Sequence, residues 1–425
     1  METKAIEKQP KIYFYIVIAV YLFEYIRPQA TIGFLKYLSI PGILSLLAAY
    51  VFIKSNKEYF YKDPLIRLSA AFLFLCAFSV IFVVNHSAWL SSTSNIFLIL
   101  FVFVFPLVLV VNSFERIIKF FNIWLISFIC LFAYLFFHKG MGPGSFLYDE
   151  NDVAMTLCVG LSYAYYISCA PCSTGYKKWL YRAIAVLCII GVVLTSSRGG
   201  FLGMLAVFFC IWWQTKSKVK IAFICLLLAL AALPFVYKAL PQGYVDDMKS
   251  ISDTTDNTRN ERLRSWKYGL YMFMGNPVLG VGAGNYPWTV HEYHIEDDYM
   301  VKKKMLGGRQ SHSLWFTLIP ELGLVGIVIY FSMIIILFKR LSRMKEMLEP
   351  AMEKGEENLQ TLNYLVKATY AATVSFFVSA TFVSVLYYPV FWQLMGFTVV
   401  LYRQCINDVS VGSFFAHKKM KVNQV

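Results

Sequence analysis

Ile96-Phe-Leu-Ile-Leu-Phe-Val-Phe-Val-Phe-Pro-Leu-Val-Leu-Val-Val111 carries no charged side chain and no alternation of polar and apolar residues. A stretch of this kind buried in lipid must bond its own backbone groups, so it reads as a helix. A transmembrane β-strand would alternate in period two, and this run does not. Similar runs recur along the chain at about 16 to 25 residues, the length that crosses a hydrocarbon core of about 30 Å. The composition agrees: 58% of the 425 residues are hydrophobic and only 15% are charged, which excludes an ordinary soluble domain.

Working outward from that run predicts an all-α polytopic membrane protein with about twelve spans. They fall near residues 12–25, 33–53, 65–84, 96–111, 117–137 and 151–169. A seventh ends near 195, an eighth starts near 199, a ninth ends near 237, and a tenth covers 313–340. A charged, helix-prone segment, 341–365, precedes a final hairpin, 368–402, broken at Tyr387-Tyr-Pro389. The net charge of +14 does not point to nucleic acid. Lys54, Lys57, Lys62 and Arg67, then Arg116 and Lys119, then Lys177, Lys178 and Arg182 mark alternate loops, which is the positive-inside signature. It puts both termini in the cytoplasm. The first apolar run ends in Glu24, Arg27 and Pro28 rather than a small-residue cleavage site, so no cleavable signal peptide is expected. Cysteines such as Cys76, Cys130, Cys158, Cys188, Cys210 and Cys225 lie in or beside apolar runs and read as small buried residues, and Cys169 and Cys172 have no second pair.

The exception is a long polar stretch, 238–311, which the alternation places outside the cytoplasm. The expected division is therefore spans 1–9 in 1–237, a loop domain in 238–312, and spans 10–12 with a cytoplasmic tail in 313–425. Within the loop, Thr258-Arg-Asn-Glu261 reads as a capping box opening a helix over 259–274. Leu263, Trp266, Leu270 and Phe273 would form its apolar stripe, lying on the membrane surface or on the bundle. Arg262 flanks that stripe; Arg264, about 200° round the helix, does not share its face.

Several residues could carry chemistry. Arg198 stands in a Thr195-Ser-Ser-Arg-Gly-Gly200 turn that opens a helix. Hydroxyls, free helix-start amides and glycines there suit a phosphate, although anchoring at the headgroups would also explain the arginine. Gly280-Val-Gly-Ala-Gly284 follows no strand and reads as turn residues rather than a dinucleotide fingerprint. His291 and His294, with Glu292 and Glu296, lack a third well-spaced ligand, so no metal is expected. His312 follows Gly307-Gly308 at the last polar position before a span, where its pKa suits proton exchange near neutrality. Glu24 and Glu321 lie in apolar runs and read first as structural partners. Asn151 and Asp152 read as helix caps.

Thr195-Ser-Ser-Arg-Gly-Gly200, Arg262-Leu-Arg-Ser-Trp266, Asn276-Pro-Val-Leu-Gly-Val-Gly-Ala-Gly-Asn285, and His312-Ser-Leu-Trp315 with Glu321-Leu-Gly-Leu-Val-Gly326 stand in one order around the long loop. In this the chain resembles the bacterial O-antigen ligase and O-antigen polymerase superfamily. It departs in having Ser313 after the histidine and no proline in Asp149-Glu-Asn151. The resemblance implies a membrane glycosyltransferase of the C type (GT-C-like) in the bacterial inner membrane, with its active site on the periplasmic side. The donor would be a glycan on undecaprenyl pyrophosphate. The acceptor would be lipid A–core oligosaccharide for a ligase, which is favoured, or a second lipid-linked repeat for a polymerase. Membrane lipids would be its other partners; no nucleic acid, cofactor or metal is implied. Arg198, Arg262 and, less directly, Arg264 would bind the donor pyrophosphate. His312 would act on the acceptor hydroxyl, with inversion at the anomeric carbon. A transporter of polysaccharide lipids is the rival class, but its residues would have to cross the membrane, and these gather on one side.

Overall fold

The computed structural model describes residues 9–215, 218–219, 257–293, 307–354 and 356–422. The ninth span, His294, Glu296, Cys225 and the loop residues 238–256 and 294–306 lie outside them. Among the described residues the fold is helical and contains no strand. The helices are α1 (Lys11–Ile26), α2 (Ile40–Lys54), α3 (Pro64–Phe78), α4 (His86–Leu98), α5 (Phe105–Val110), α6 (Phe114–Phe137) and α7 (Glu150–Cys169). They continue with α8 (Gly175–Leu194), α9 (Arg198–Trp213), α10 (Asn257–Gly275), α11 (Trp315–Lys354), α12 (Glu357–Ala380) and α13 (Pro389–Val422). Among the described residues, four stretches are long and apolar enough to cross a membrane: Pro64–Ile81, His86–Val110, Phe114–Phe137 and Trp315–Glu349.

Helices of low apolar content are among the most central. Nearly every side chain of α7 is buried, and α7 packs on α8, α9 and α12. Its Gly160 meets the Phe128 ring so closely that a Cβ would stand 2.2 Å from it. Small and hydroxylated residues let helices approach this way where lipid supplies no drive toward association. Tyr163 Oη and Thr369 Oγ1 lie 2.8 Å apart between α7 and α12, and Tyr25 Oη donates to Gln393 Oε1 at 2.6 Å between α1 and α13.

Several expected boundaries shift. The span expected at 33–53 is a 3-10 segment, Gly33–Leu38, and then α2, because Ser39 between them is left-handed. The span expected at 96–111 starts at His86, capped by Asn85, which accepts from Ala88 N at 3.0 Å. Its polar first half, Ser91-Ser-Thr-Ser-Asn95, hid it from a hydropathy reading. Between α4 and α5 the helix widens to a π-turn, Ile99–Val104, ahead of Pro106, which has no amide to give. The charged segment after the tenth span is not separate from it: α11 runs on to Lys354 and α12 starts at Glu357. Cys130 and Cys169 are exposed rather than buried; Cys76, Cys158, Cys188 and Cys210 are buried as expected.

The two ends of the bundle differ. At one end Asp63 caps α3 and pairs with Arg340 at 3.0 Å, both nearly buried, while Arg116 and Arg403 bond backbone carbonyls. The other end carries the non-glycine residues with left-handed backbone: Arg27, Ser39, Lys139, Ser145, Ser196 and His312. Such conformations cost of order 1–3 kcal/mol each and gather where surrounding structure imposes them.

Candidate functional site

Arg198 occupies the first turn of α9. Ser197 caps that helix, its Oγ accepting from Gly200 N at 3.0 Å and donating to Asn151 Oδ1 at 2.7 Å. Asn151 Nδ2 in turn donates to Asp149 Oδ1 at 2.6 Å, and Asp149, not Asn151 or Asp152, is the cap of α7. The arginine turn is thus tied to the start of α7. A cation in a helix's first turn opposes the macrodipole, and an anion bound there would satisfy both. The two glycines serve packing rather than a ligand. A Cβ on Gly200 would stand 2.3 Å from Ala154 Cβ, and Ser379 Oγ donates to Gly199 O at 3.1 Å.

His312 comes from a different part of the chain. Its backbone is left-handed (φ 50°), between the buried Ser311 and Ser313. Ser311 is held by Ser313 O and Thr317 Oγ1, and its carbonyl accepts from Trp266 Nε1 at 3.0 Å. Leu314 N donates to Ala380 O at 2.9 Å, tying the start of α11 to the end of α12. His312 is exposed, with part of its surroundings filled by protein. That desolvation, and after it the charge of Arg262, push its pKa below the ordinary value; Asp149 pulls the other way and Arg309 adds to the depression. His312 is therefore neutral near pH 7, and Arg262, Asp149 and Arg309 all lie within its electrostatic reach.

Arg262 and Arg264 are both half-buried on α10. The helix runs Asn257–Gly275, close to the expected 259–274. The expected stripe is divided between contact with the protein and exposure. The buried face is Ser265, Tyr268 and Met272, packed on Tyr286, while Leu263 and Leu270 are exposed with Met274. Trp266 does turn inward, stacked on Phe316 with ring centroids 4.8 Å apart. Glu261 pairs with Arg309 at 3.1 Å.

The glycine run and Glu321 form one clamp. Glu321 Oε2 accepts from Gly284 N at 2.8 Å and from Tyr387 Oη at 2.5 Å, and Oε1 accepts from Tyr286 N at 2.9 Å. Gly282 N donates to Glu321 O, and Val325 N to Val278 O. A Cβ on Gly280 would stand 2.4 Å from the Glu321 carbonyl, and one on Gly323 2.5 Å from Val278 O, so the two backbones touch only because both are glycines. Both also take positive φ. Glu321 is a structural partner, as expected, though of amides and a tyrosine rather than an arginine. Gly308 N is held by Pro287 O at 2.9 Å, which pins the chain four residues before His312.

The sequence-predicted residues thus divide. His312 and Arg262 come together, and Arg198 joins them at the same end through Ser197, Asn151 and Asp149. Arg264 is half-buried on the same helix as Arg262. Asp149 and Arg309 were missed as neighbours of His312. Tyr388 was read only as part of a helix break, yet it lies within reach of Asp152 and Asp149. The acidic run before α7 was the one available signal.

Residues 183–331 match the family model for O-antigen ligase. No curated protein matches the chain. The matched stretch runs from α8 into α11 and holds the arginine turn, α10, the glycine clamp and His312. The chain is thus similar to the O-antigen ligase family over residues 183–331, the stretch that carries most of the candidate residues.

Proposed function

We propose that the protein is an O-antigen ligase, moving a glycan from undecaprenyl pyrophosphate to lipid A–core oligosaccharide at the periplasmic face of the inner membrane. The observation that supports this reading is that His312, Arg262 and the Arg198 turn gather at one end of the bundle, within the stretch similar to O-antigen ligase. The leaving group is a pyrophosphate, and guanidinium groups bind it with paired, charge-assisted hydrogen bonds. Arg198 and Arg262 take that role, with Arg264 as a further candidate. His312 accepts the proton of the acceptor hydroxyl as its oxygen bonds to the anomeric carbon. The bond from that carbon to the pyrophosphate breaks on the opposite face, undecaprenyl pyrophosphate leaves with the electron pair, and the configuration inverts. Positive charge fixed where negative charge grows is what speeds such a step.

The test is reconstitution with lipid-linked glycan and either lipid A–core or no second substrate, read by gel. Glycosylated core is the expected product, unaffected by EDTA. Chain extension without core would make the protein a polymerase. No transfer in either arm, from protein that binds the donor, would remove the transferase reading.

A further inference from the structure

A cavity of about 460 Å³ opens between α1, the start of α2, the α4 end with its π-turn, and the Tyr387-Tyr-Pro389 turn. This size lies within the roughly 300–1,000 Å³ of small-molecule sites. Its walls are mixed. Glu24, Ser45, Asn95, Ser145 and Tyr388 supply a carboxylate, three hydroxyls and an amide; Phe103 and Phe146 supply aromatic faces. Polar groups in spans are expensive and mark ligand paths, and π-turns often accompany such sites. Arg27, three residues on from Glu24 and electrostatically coupled to it, has Nε and Nη1 buried with no hydrogen-bond partner among the described residues.

A phosphate does not suit a cavity walled by a carboxylate. A neutral group rich in hydroxyls does: vicinal hydroxyls donate to the carboxylate and accept from amide and phenol, while the C–H faces of the ring lie on aromatic walls. The place fits as well. Tyr388 lines the cavity and is within electrostatic reach of Asp149, which is within reach of His312.

We propose that this cavity is a sugar subsite, holding saccharide units of one glycan substrate while the arginines hold the pyrophosphate. The proposal rests on the transferase reading. The saccharide comes from the donor or from the acceptor core, and kinetics tell them apart. Glu24→Gln, Ser45→Val and Asn95→Leu are assayed with lipid-linked glycan extracted from the producing cells and with lipid A–core. Affinity for bare undecaprenyl pyrophosphate is measured alongside. The expected result is a KM raised about tenfold or more for one glycan, the size of effect when a site built for hydroxyls loses a partner. The kcat changes much less, and undecaprenyl pyrophosphate binds as to wild type. The substrate whose KM rises is the one housed there. Glu24→Gln removes the charge beside Arg27 and could unfold the protein; Asn95→Leu narrows the cavity without touching that pair and decides the matter alone. Unchanged KM for both glycans overturns the subsite and leaves the transferase standing. A parallel loss of bare undecaprenyl pyrophosphate means the cavity holds the lipid carrier, which also overturns it. Wild-type protein that binds neither glycan substrate removes both readings.

Discussion

At His312, two neighbours of opposite charge make its role testable. As a base it must be neutral, so the rate falls as pH drops through its pKa, which lies below the ordinary value of about 6.5. Arg309 lowers that pKa, so Arg309→Gln raises it and moves the acid limb of the pH–rate profile to higher pH. Asp149 raises it, so Asp149→Asn moves the limb to lower pH, and asparagine still caps α7. Shifts of the same sign in both variants would remove His312 as the titrating group. The arginines are tested by affinity. Arg198→Lys and Arg262→Lys each lose a charged, paired contact worth about 1.5–3 kcal/mol, hence roughly ten- to a hundredfold in binding of undecaprenyl pyrophosphate. His312→Ala loses transfer but keeps that affinity. Arginine variants that bind the lipid as wild type does would reverse the assignment.

At the level of elements, the Glu321 clamp sets where α10 stands. Its carboxylate satisfies two backbone amides and a tyrosine hydroxyl. Glu321→Ala strands all three, at about 1–3 kcal/mol each. The expected outcome is protease cleavage within 276–290 and loss of transfer, with the bundle still helical by circular dichroism. Resistance equal to wild type would show that the loop is held by other contacts. The arginine turn is set by packing instead. Gly203→Ala would place a Cβ 2.0 Å from Ser379 Oγ, which must turn away and give up its bond to Gly199 O. Overpacking of this kind costs about 1–3 kcal/mol, read as a lower melting temperature in detergent. The sequence announced both sets of glycines. Their partners, Ala154, Ser379 and the Glu321 carbonyl, are distant in the chain or invisible to periodicity.

Across the whole molecule, the two ends separate stability from chemistry. Asp63→Ala leaves Arg340 buried without its partner, a loss of about 3–5 kcal/mol. It should lower the melting temperature and leave the affinity for undecaprenyl pyrophosphate unchanged; a matching loss of affinity would show that the ends are coupled. The sidedness is checked by labelling: a cysteine at the exposed Val278 should react with an impermeant thiol reagent from the periplasm, and one at Lys62 should not. Helical class, membrane residence and the order of the motifs were determined by the sequence alone. Hydropathy and helix-breaking residues are local properties that the chain carries wherever it folds. Which helix stands at the centre was not legible, because α7 is buried by neighbours rather than by lipid and so needs no apolar surface all round. The protein-covered face of α10 was not legible for a related reason: Ser265 and Tyr268 are buried by partners, Tyr286 foremost, that a periodic count does not see. The site itself is tertiary in the same sense. His312, Arg262, Asp149 and Arg198 come from separate elements, and only their packing brings Arg262 and Asp149 within electrostatic reach of His312 and ties the Arg198 turn to Asp149 through Ser197 and Asn151.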